Sequence, residues 1–336
     1  TMSGSLTLSG SATNLSVGGA STLSGDVTVE NSITFNSGVP GIAENTLHVT
    51  TGTTHGPNEF NSVKAAVDAI GSTFPAASAT NRYVISVGPG TFVEDTIVMP
   101  EFVNIVGSSA TQTVIEVDSP SKDVVVGAPN VRLRKLHLRG ATDTGRSAIV
   151  FNGGGDFFIF DCTFGDNNRV LTQSVGTNPA VTSFERCSII ANADIVEGFI
   201  VNDSGSLLNV CFINAMKWLP RAGASGNFQT LLEVQGSGTT LSFSNSEIGP
   251  LATAASPFIG GTAVTVFGGA TCRINSTTLQ GFDTAIHVPN TGGGPELRVT
   301  GTLGRVNTRD IVIDNPNTFG DINSSFALSK TSIVSG

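Results

Sequence analysis

Five hexads decide the fold of this chain: IFDCTF at 159–164, FERCSI at 184–189, LNVCFI at 208–213, FSNSEI at 243–248 and INSTTL at 274–279. All fit one template, apolar, any, any, small, any, apolar. Their small positions, Cys162, Cys187, Cys211, Ser246 and Thr277, are separated by 25, 24, 35 and 31 residues. A segment of six residues is too short to be a packed helix, and a period of this size is that of a solenoid, in which each coil buries its face only against the next. The first two intervals fit one coil each; the longer two leave room for coils with surface loops. LRKLHL at 133–138, with Leu136 at the small position, adds a coil 26 residues earlier. Stacking places the fourth position of every hexad above the last and facing inward, where only small or apolar side chains fit. The cysteines therefore read as steps of a ladder. Position three holds Asp161 and Asn245, residue types that tolerate the left-handed backbone of a sharp turn.

The strands around the hexads, among them YVISV, FVEDTIV, VNIVG, TVIEV, DVVVG, SAIVF and DFFIFDCTF, are separated by a few Gly, Asn, Pro or Asp residues. Such gaps are too short for the helical crossovers of a doubly wound sheet, so parallel stacking by coiling remains. The sequence predicts an all-β, right-handed parallel β-helix over 41–290. One helix precedes the strands, in GPNEFNSVKAAVDAIGSTFP: Phe60, Val63, Val67 and Ile70 share a face, Asn61 or Ser62 suits the start and Gly71 the stop. An amphipathic helix near 60–70 is expected to cover the open end of the stack.

Residues 1–40 alternate in short pairs, Leu6 and Leu8, Leu15 and Val17, Val27 and Val29, Ile33 and Phe35, each followed by Gly, Ser or Asn. Strands this short bury nothing alone, and partner chains in an intertwined homotrimeric stem would complete them. The polar start also looks like the cut end of a longer polypeptide. At the other end, 291–336 lose the hexad and read as a closing segment that caps the stack or packs on a neighbouring chain.

Composition limits the function classes. The chain carries 40 glycines, only 13% charged residues and a formal net charge of −9, with no basic stripe, which argues against nucleic acid or an anionic membrane as partner. No apolar run approaches the roughly 20 residues that span a bilayer. The spacing of Cys162, Cys187, Cys211 and Cys272 matches no zinc site, and the glycine runs GGGDFF and VFGGAT precede no helix that could cradle phosphate, so no metal and no cofactor are expected. His137 alternates with Leu136 and Leu138 and reads as outward-facing.

From FNSVKAAVDAI through YVISVGPGTFVEDTIVMPEFVNIVGSSATQTVIE, about 55 residues, the sequence resembles the opening of the pectin-lyase-like superfamily, nearest to pectin methylesterases. The P-G-T-aromatic-x-E turn is matched by Pro89, Gly90, Thr91, Phe92 and Glu94. That resemblance implies a capping helix leading into the first coils and says little of activity. A methylesterase would further need a Q-D-T element carrying the acid, a D-F-I-F-G element carrying the nucleophile, and an arginine beyond. Asp156 to Asp161, DFFIFD, imitates the second element, yet no Q-D-T precedes it and Asp161 replaces its glycine. The order of stem, helix, β-helix and closing segment resembles bacteriophage tailspikes and related viral fibres.

Two sets of residues are candidates for a site. Asp166 follows the Cys162 hexad, and Asp194 and Glu197 follow the Cys187 hexad; paired on adjacent coils they would serve a polysaccharide hydrolase, and unpaired they are solvated turn carboxylates. Trp218, the single tryptophan, lies between Lys217 and Arg221, an aromatic plane beside two cations that suits a sugar ring, or else a plug for the coil below. The expected function is a virion or extracellular fibre that presents a β-helical surface to host glycans, leaning away from an enzyme. The rival is a tailspike-type hydrolase or lyase.

Overall fold

A computed structural model describes residues 44–53, 56–175, 180–191, 197–203, 209–214, 217–220, 230–248, 261–291, 293–305, 309–323 and 334–335. The chain winds into a right-handed parallel β-helix whose coils contribute one strand each to three sheets of twelve, nine and ten strands. Every pairing between the named strands is parallel, as coiling requires. Residues one coil apart stand over one another, so the interior is built from rows.

Position one of the hexads is the clearest row. Ile85, Ile105, Leu133, Ile159, Phe184, Phe243, Ile274 and Val299 succeed one another in register, with Ile213 between Phe184 and Phe243, and all except Ile213, whose side chain lies outside the described set, are fully buried. Position six forms the facing row in the nine-stranded sheet, where Phe92, Ile115, Leu138, Phe164, Ile189 and Leu279 are buried. The two rows meet across a narrow core, as in the contact of Phe164 with Phe184 at 5.8 Å between ring centroids.

Between the rows the chain must turn, and position three makes the turn. Lys135, Asp161, Arg186, Asn245 and Ser276 all have positive φ, between 47° and 56°, and Gly301 follows at 59°. The expectation from Asp161 and Asn245 holds, and it extends to Lys, Arg and Ser, for which the left-handed region costs about 1–2 kcal/mol. What overrides that cost is hydrogen bonding. The position-three N–H of each coil donates to the position-two carbonyl of the next: Lys135 to Phe160 at 3.1 Å, Asp161 to Glu185 at 3.0 Å, Asn245 to Asn275 at 3.1 Å and Ser276 to Thr300 at 2.9 Å.

The same carbonyl takes a second donor, from position four of its own coil. Cys162 Sγ donates to Phe160 O at 3.3 Å, Cys187 Sγ to Glu185 O at 3.5 Å, Ser246 Oγ to Ser244 O at 2.9 Å, Thr277 Oγ1 to Asn275 O at 2.9 Å and Thr302 Oγ1 to Thr300 O at 3.4 Å. In these five coils position four is small, buried and a donor, which is why Cys, Ser and Thr exchange along it, whereas Leu136 in the 133–138 coil is buried there without a group to donate. Cys211 does not belong there. The register sets Ile213 at position one, so the hexad of that coil is INAMKW at 213–218, five residues later than LNVCFI. Cys211 instead stands in the strand row of Phe157, Thr182, Leu241, Cys272 and Leu297. This correction evens the intervals: Phe184 to Ile213 is 29 residues and Ile213 to Phe243 is 30.

The first coil is more elaborate than the sequence suggests. Strand β1 (Glu44–Val49) and the short β2 (Glu59–Phe60) precede helix α1 (Val63–Ala69), and β1 pairs with β3 (Arg82–Val87), so two extra strands extend the largest sheet. Strands β4 (Gly90–Glu94) and β5 (Ile97–Val98) end the other two sheets, and α1 packs over all five through Val63, Ala66 and Val67, the capping role expected of it. Ser62 caps the helix by accepting from Ala65 N at 3.1 Å. Buried Glu94 completes the cap: its carboxylate accepts from Val63 N and from the Ser62 hydroxyl, both at 2.6 Å. A carboxylate at a helix start satisfies donors that the helix itself leaves unpaired. Gly90 earlier in the same turn has φ 142°, and a Cβ there would lie 2.3 Å from the Thr51 side chain.

The coils continue past residue 290. Strand Glu296–Thr300 pairs with Thr271–Asn275, and Phe319–Asn323 pairs with it in turn, so the segment expected to close the stack adds rungs of its own. The stem expected over 1–40 lies outside the described residues. No helix among the described residues is long and apolar enough to cross a membrane.

The position-four row carries a test. Burial lifts the Cys162 thiol well above its ordinary pKa and Cys187 to about 12, so neither presents a thiolate to solvent. Cys162 and Cys187 are expected to resist a thiol reagent until unfolding. Cys162→Ser should cost less than about 1 kcal/mol, because a hydroxyl repeats the bond made at Ser246, whereas Cys162→Ala should cost about 1–2 kcal/mol. Chemical denaturation of the two variants decides; equal losses would show that the bond to Phe160 O contributes nothing.

Candidate functional site

The strand residues that alternate with the buried rows form the outer face of the twelve-stranded sheet. Val84, Asn104, Arg132 and Phe158 succeed one another on this face, beside a parallel line of Val106, Arg134, Phe160 and Glu185. All of these except Phe158, together with Arg186 from the turn, border a groove of about 480 Å³. Its floor is sheet, so the groove is positioned by the most regular part of the molecule.

Two arrangements organise the groove. Phe158 and Phe160, two residues apart on one strand and both half-buried, stack with centroids 6.0 Å apart and planes at 18°. The Arg132 guanidinium lies over Phe158 at 5.8 Å from its centroid, within the reach of a cation–π contact. Guanidinium and the two rings make a short stack that leaves Phe160 bordering the groove.

The second arrangement is an ion cluster centred on Asp161. Arg186 from the next coil grips it with two bonds, Nε to Oδ1 at 2.8 Å and Nη2 to Oδ2 at 3.2 Å, while Arg134 from the previous coil reaches Oδ2 at 3.4 Å. Arg186 also pairs with Glu185. Hydrogen bonding from Arg186, against a smaller opposing effect of burial, holds the Asp161 carboxyl below its usual range. A carboxyl held so firmly as the anion is poorly placed to donate a proton or to take one up.

The sequence candidates fall elsewhere. Asp166 sits half-buried in a left-handed turn, φ 53°, and its carbonyl accepts from Gly140 N at 3.0 Å, at a corner after the nine-stranded sheet and outside the groove. Asp194 lies outside the described residues. Glu197 opens a strand of the ten-stranded sheet in register with Thr230, so the described residues assemble no carboxylate pair from this set. Trp218 and Lys217 belong to strand Lys217–Pro220 of the nine-stranded sheet, and Arg221 lies outside the described residues. By register Trp218 takes position six, between Ile189 and Ile248, on the row that Phe164, Ile189 and Leu279 bury. Lys217 takes position five. His137 is on the outer row, as expected, half-buried between Val114 and Thr163, and burial lowers its pKa.

Arg132, Arg134, Phe158, Phe160, Glu185 and Arg186 went unmarked by motif. Their signal was the alternation in VRLRK, DFFIFD and SFERC, whose out-of-phase members must share a face once the hexads are aligned. Asp156, which opens DFFIFD, is exposed and stands in register with Val181, so no acid adjoins it on the next strand.

No family model matches the chain, and no curated protein matches it. Solved structures do. A pectin methylesterase variant in complex with a hexasaccharide superposes over 85% of this chain and 90% of its own, at TM-score 0.50 and 14% identity. A pectin methylesterase from Erwinia chrysanthemi covers 70% and 79%, at TM-score 0.47 and 14% identity. An Azotobacter vinelandii mannuronan C-5 epimerase module covers 80% and 95%, at TM-score 0.33 and 12% identity. The likeness to the hexasaccharide-bound structure establishes the parallel β-helix fold, the fold that the P-G-T-F turn implied.

Asp161 offers a pH test. Its folded pKa is lowered, so the clamp's contribution is complete above the ordinary carboxylate value near 3.9 and is lost as the pH falls through the lower folded value. Denaturation midpoints followed from neutral to acid pH are expected to fall less steeply for Asp161→Asn than for the native chain. Parallel curves would mean that the three arginine contacts do not favour the anion.

Proposed function

We propose that the chain is a fibre or spike protein of a virus or phage, homotrimeric, whose β-helix holds a glycan-binding face toward a host surface. The observation that carries the reading is the groove on the twelve-stranded sheet, in which an aromatic ring and guanidinium groups border a shallow trough along the sheet. Aromatic faces and planar multiple donors are the groups that hold sugar rings and their substituents. Its lining carboxylate, Glu185, and the adjoining Asp161 are both tied to Arg186, which favours binding over hydrolysis. The fold also serves carbohydrate chemistry in its neighbours, among them the pectin methylesterase solved with a hexasaccharide. Attachment to a surface through a solenoid fits a chain with only 13% charged residues.

In a panel of bacterial and algal polysaccharides, some members are expected to retard the protein in affinity electrophoresis with no release of reducing ends or unsaturated sugars. Phe160→Ala should weaken that retardation about tenfold, the loss of roughly 1.4 kcal/mol of stacking. Release of sugars that disappears in Asp161→Asn would make the chain a hydrolase or lyase instead. Assembly has its own test. Light scattering should give about three times the 34.4 kDa chain mass, falling when residues 1–40 are removed, and a monomer from the intact chain would remove the trimeric stem.

A further inference from the structure

The arginines of the groove are not equivalent. Arg186 spends donors from all three nitrogens on Asp161 and Glu185, and Arg134 has its charge paired with Asp161 through Nε at 3.4 Å. Arg132 is different. It is exposed, it stands one strand from Phe158 on the same face, and the ring contact with Phe158 is its one interaction among the described residues. A cation–π contact engages the charge of a guanidinium without consuming an N–H in a hydrogen bond, and those N–H groups match two oxygens of one carboxylate or sulfate.

From this asymmetry we infer that the groove selects anionic glycans, carboxylated or sulfated, over neutral ones, and that Arg132 sets the preference by receiving one acidic group per bound segment. The inference rests on the glycan-binding reading and deepens it. Charge around the groove supports it from a second direction. The chain as a whole carries −9, so an acidic polymer is repelled by most of the surface, whereas the groove is lined by three arginines and one carboxylate, Glu185, with Asp161 beside it held by two of those arginines. Attraction confined to a site of that size is short-ranged, because surface charges are screened beyond about 8 Å at physiological salt. Selection is thereby tied to contact with Arg132 and not to the general field of the protein.

The position relative to Phe160 adds a geometric requirement. Arg132 and Phe160 lie on neighbouring strands, roughly 4.8 Å apart in the stacking direction, and Phe158 contacts both the guanidinium and the second ring. A sugar laid against Phe160 thus brings the substituent of an adjacent unit to the guanidinium edge. Neutral hydroxyls reach the same place but meet a donor whose charge they do not balance, and a charge-assisted bond is about twice as strong as a neutral one.

Matched probes separate this inference from the reading beneath it. Uronate-containing bacterial and algal polysaccharides are immobilised beside their carboxyl-reduced forms, and sulfated galactans beside their desulfated forms, and binding is followed by surface plasmon resonance. The native chain should bind acidic members about tenfold more tightly than their neutral counterparts. Arg132→Gln should remove the preference while retaining the weaker binding common to both forms, and Arg132→Lys should restore part of it. Arg273→Gln deletes an exposed arginine further along the same row and outside the groove, and should leave the preference intact. A thermal melt of Arg132→Gln matching the native chain verifies that the fold is kept. Equal binding of acidic and neutral forms, or a preference that survives Arg132→Gln, would overturn the inference and leave glycan binding standing. Absence of binding to every polysaccharide would overturn the glycan reading, and this inference with it.

Discussion

One carbonyl per coil holds this architecture in order. At position two in the coils of Phe160, Glu185, Asn275 and Thr300 the backbone oxygen lies at the mouth of a left-handed turn, partly buried, and accepts from two donors. One comes from the N–H of the turn residue in the coil before, the other from the thiol or hydroxyl two residues ahead in its own coil. A buried carbonyl left unpaired costs about 1–3 kcal/mol, and a solenoid would incur that cost at every repeat. Hence the turn residue is left-handed whatever its type, and the residue after Asp161, Arg186, Asn245, Ser276 and Gly301 is small and able to donate. Narrow spacing between the rows at positions one and six follows, since a turn this tight brings the two sheets close enough for Phe164 to touch Phe184.

The outer face inherits its geometry from the same turn. Because each coil rises by one strand spacing, roughly 4.8 Å, an arginine on one coil reaches a carboxylate on the next without stretching. Asp161 lies at the turn itself and receives Arg134 from below and Arg186 from above. Arg186 is itself a turn residue with φ 52°, a conformation that a long cationic side chain seldom adopts, and its bidentate grip on Asp161 is the local return for that conformation. Ladder order inside the helix thus becomes charge order outside it.

Much of the fold was legible in the sequence because the solenoid repeats its demands. Apolar ends and a small fourth residue recur in each hexad, and Asp161 and Asn245 marked the turn. Two things escaped. LNVCFI and INAMKW overlap by one residue and both fit an apolar, variable, apolar frame; only pairing in space shows that Ile213 begins the hexad, since Met216 is a poor instance of a small residue and Cys211 a good one. Lys135, Arg186 and Ser276 carry no intrinsic mark of a left-handed turn, because bonds from adjacent coils impose it. Glu94 could be seen as part of a turn motif, but its task of capping α1 depends on a contact across 31 residues. The groove was harder still: no spacing distinguishes an outward Phe160 from an inward Phe157 until the row at position one is known. Gln173 shows the limit from the other side. It stands in register with buried Phe151 and is 1% exposed, with no partner for its amide among the described residues, a placement that no hydrophobic pattern announces.

The bonds that join successive coils all run along the long axis, and this gives the molecule an unusual response to tension. In a bundle or sandwich pulled from its ends many bonds are sheared together and give way at once. Here a load applied along the axis falls on the outermost coil, whose bonds open like a zip while the coils behind it keep theirs. Extension should therefore proceed by peeling, one turn of chain released at a time at nearly constant force, and slack should let the freed coil rewind on the template beneath. For a body tethered to a moving surface that is a shock absorber: energy is dissipated in small reversible steps, and the attachment is spared the sudden failure of the whole shaft.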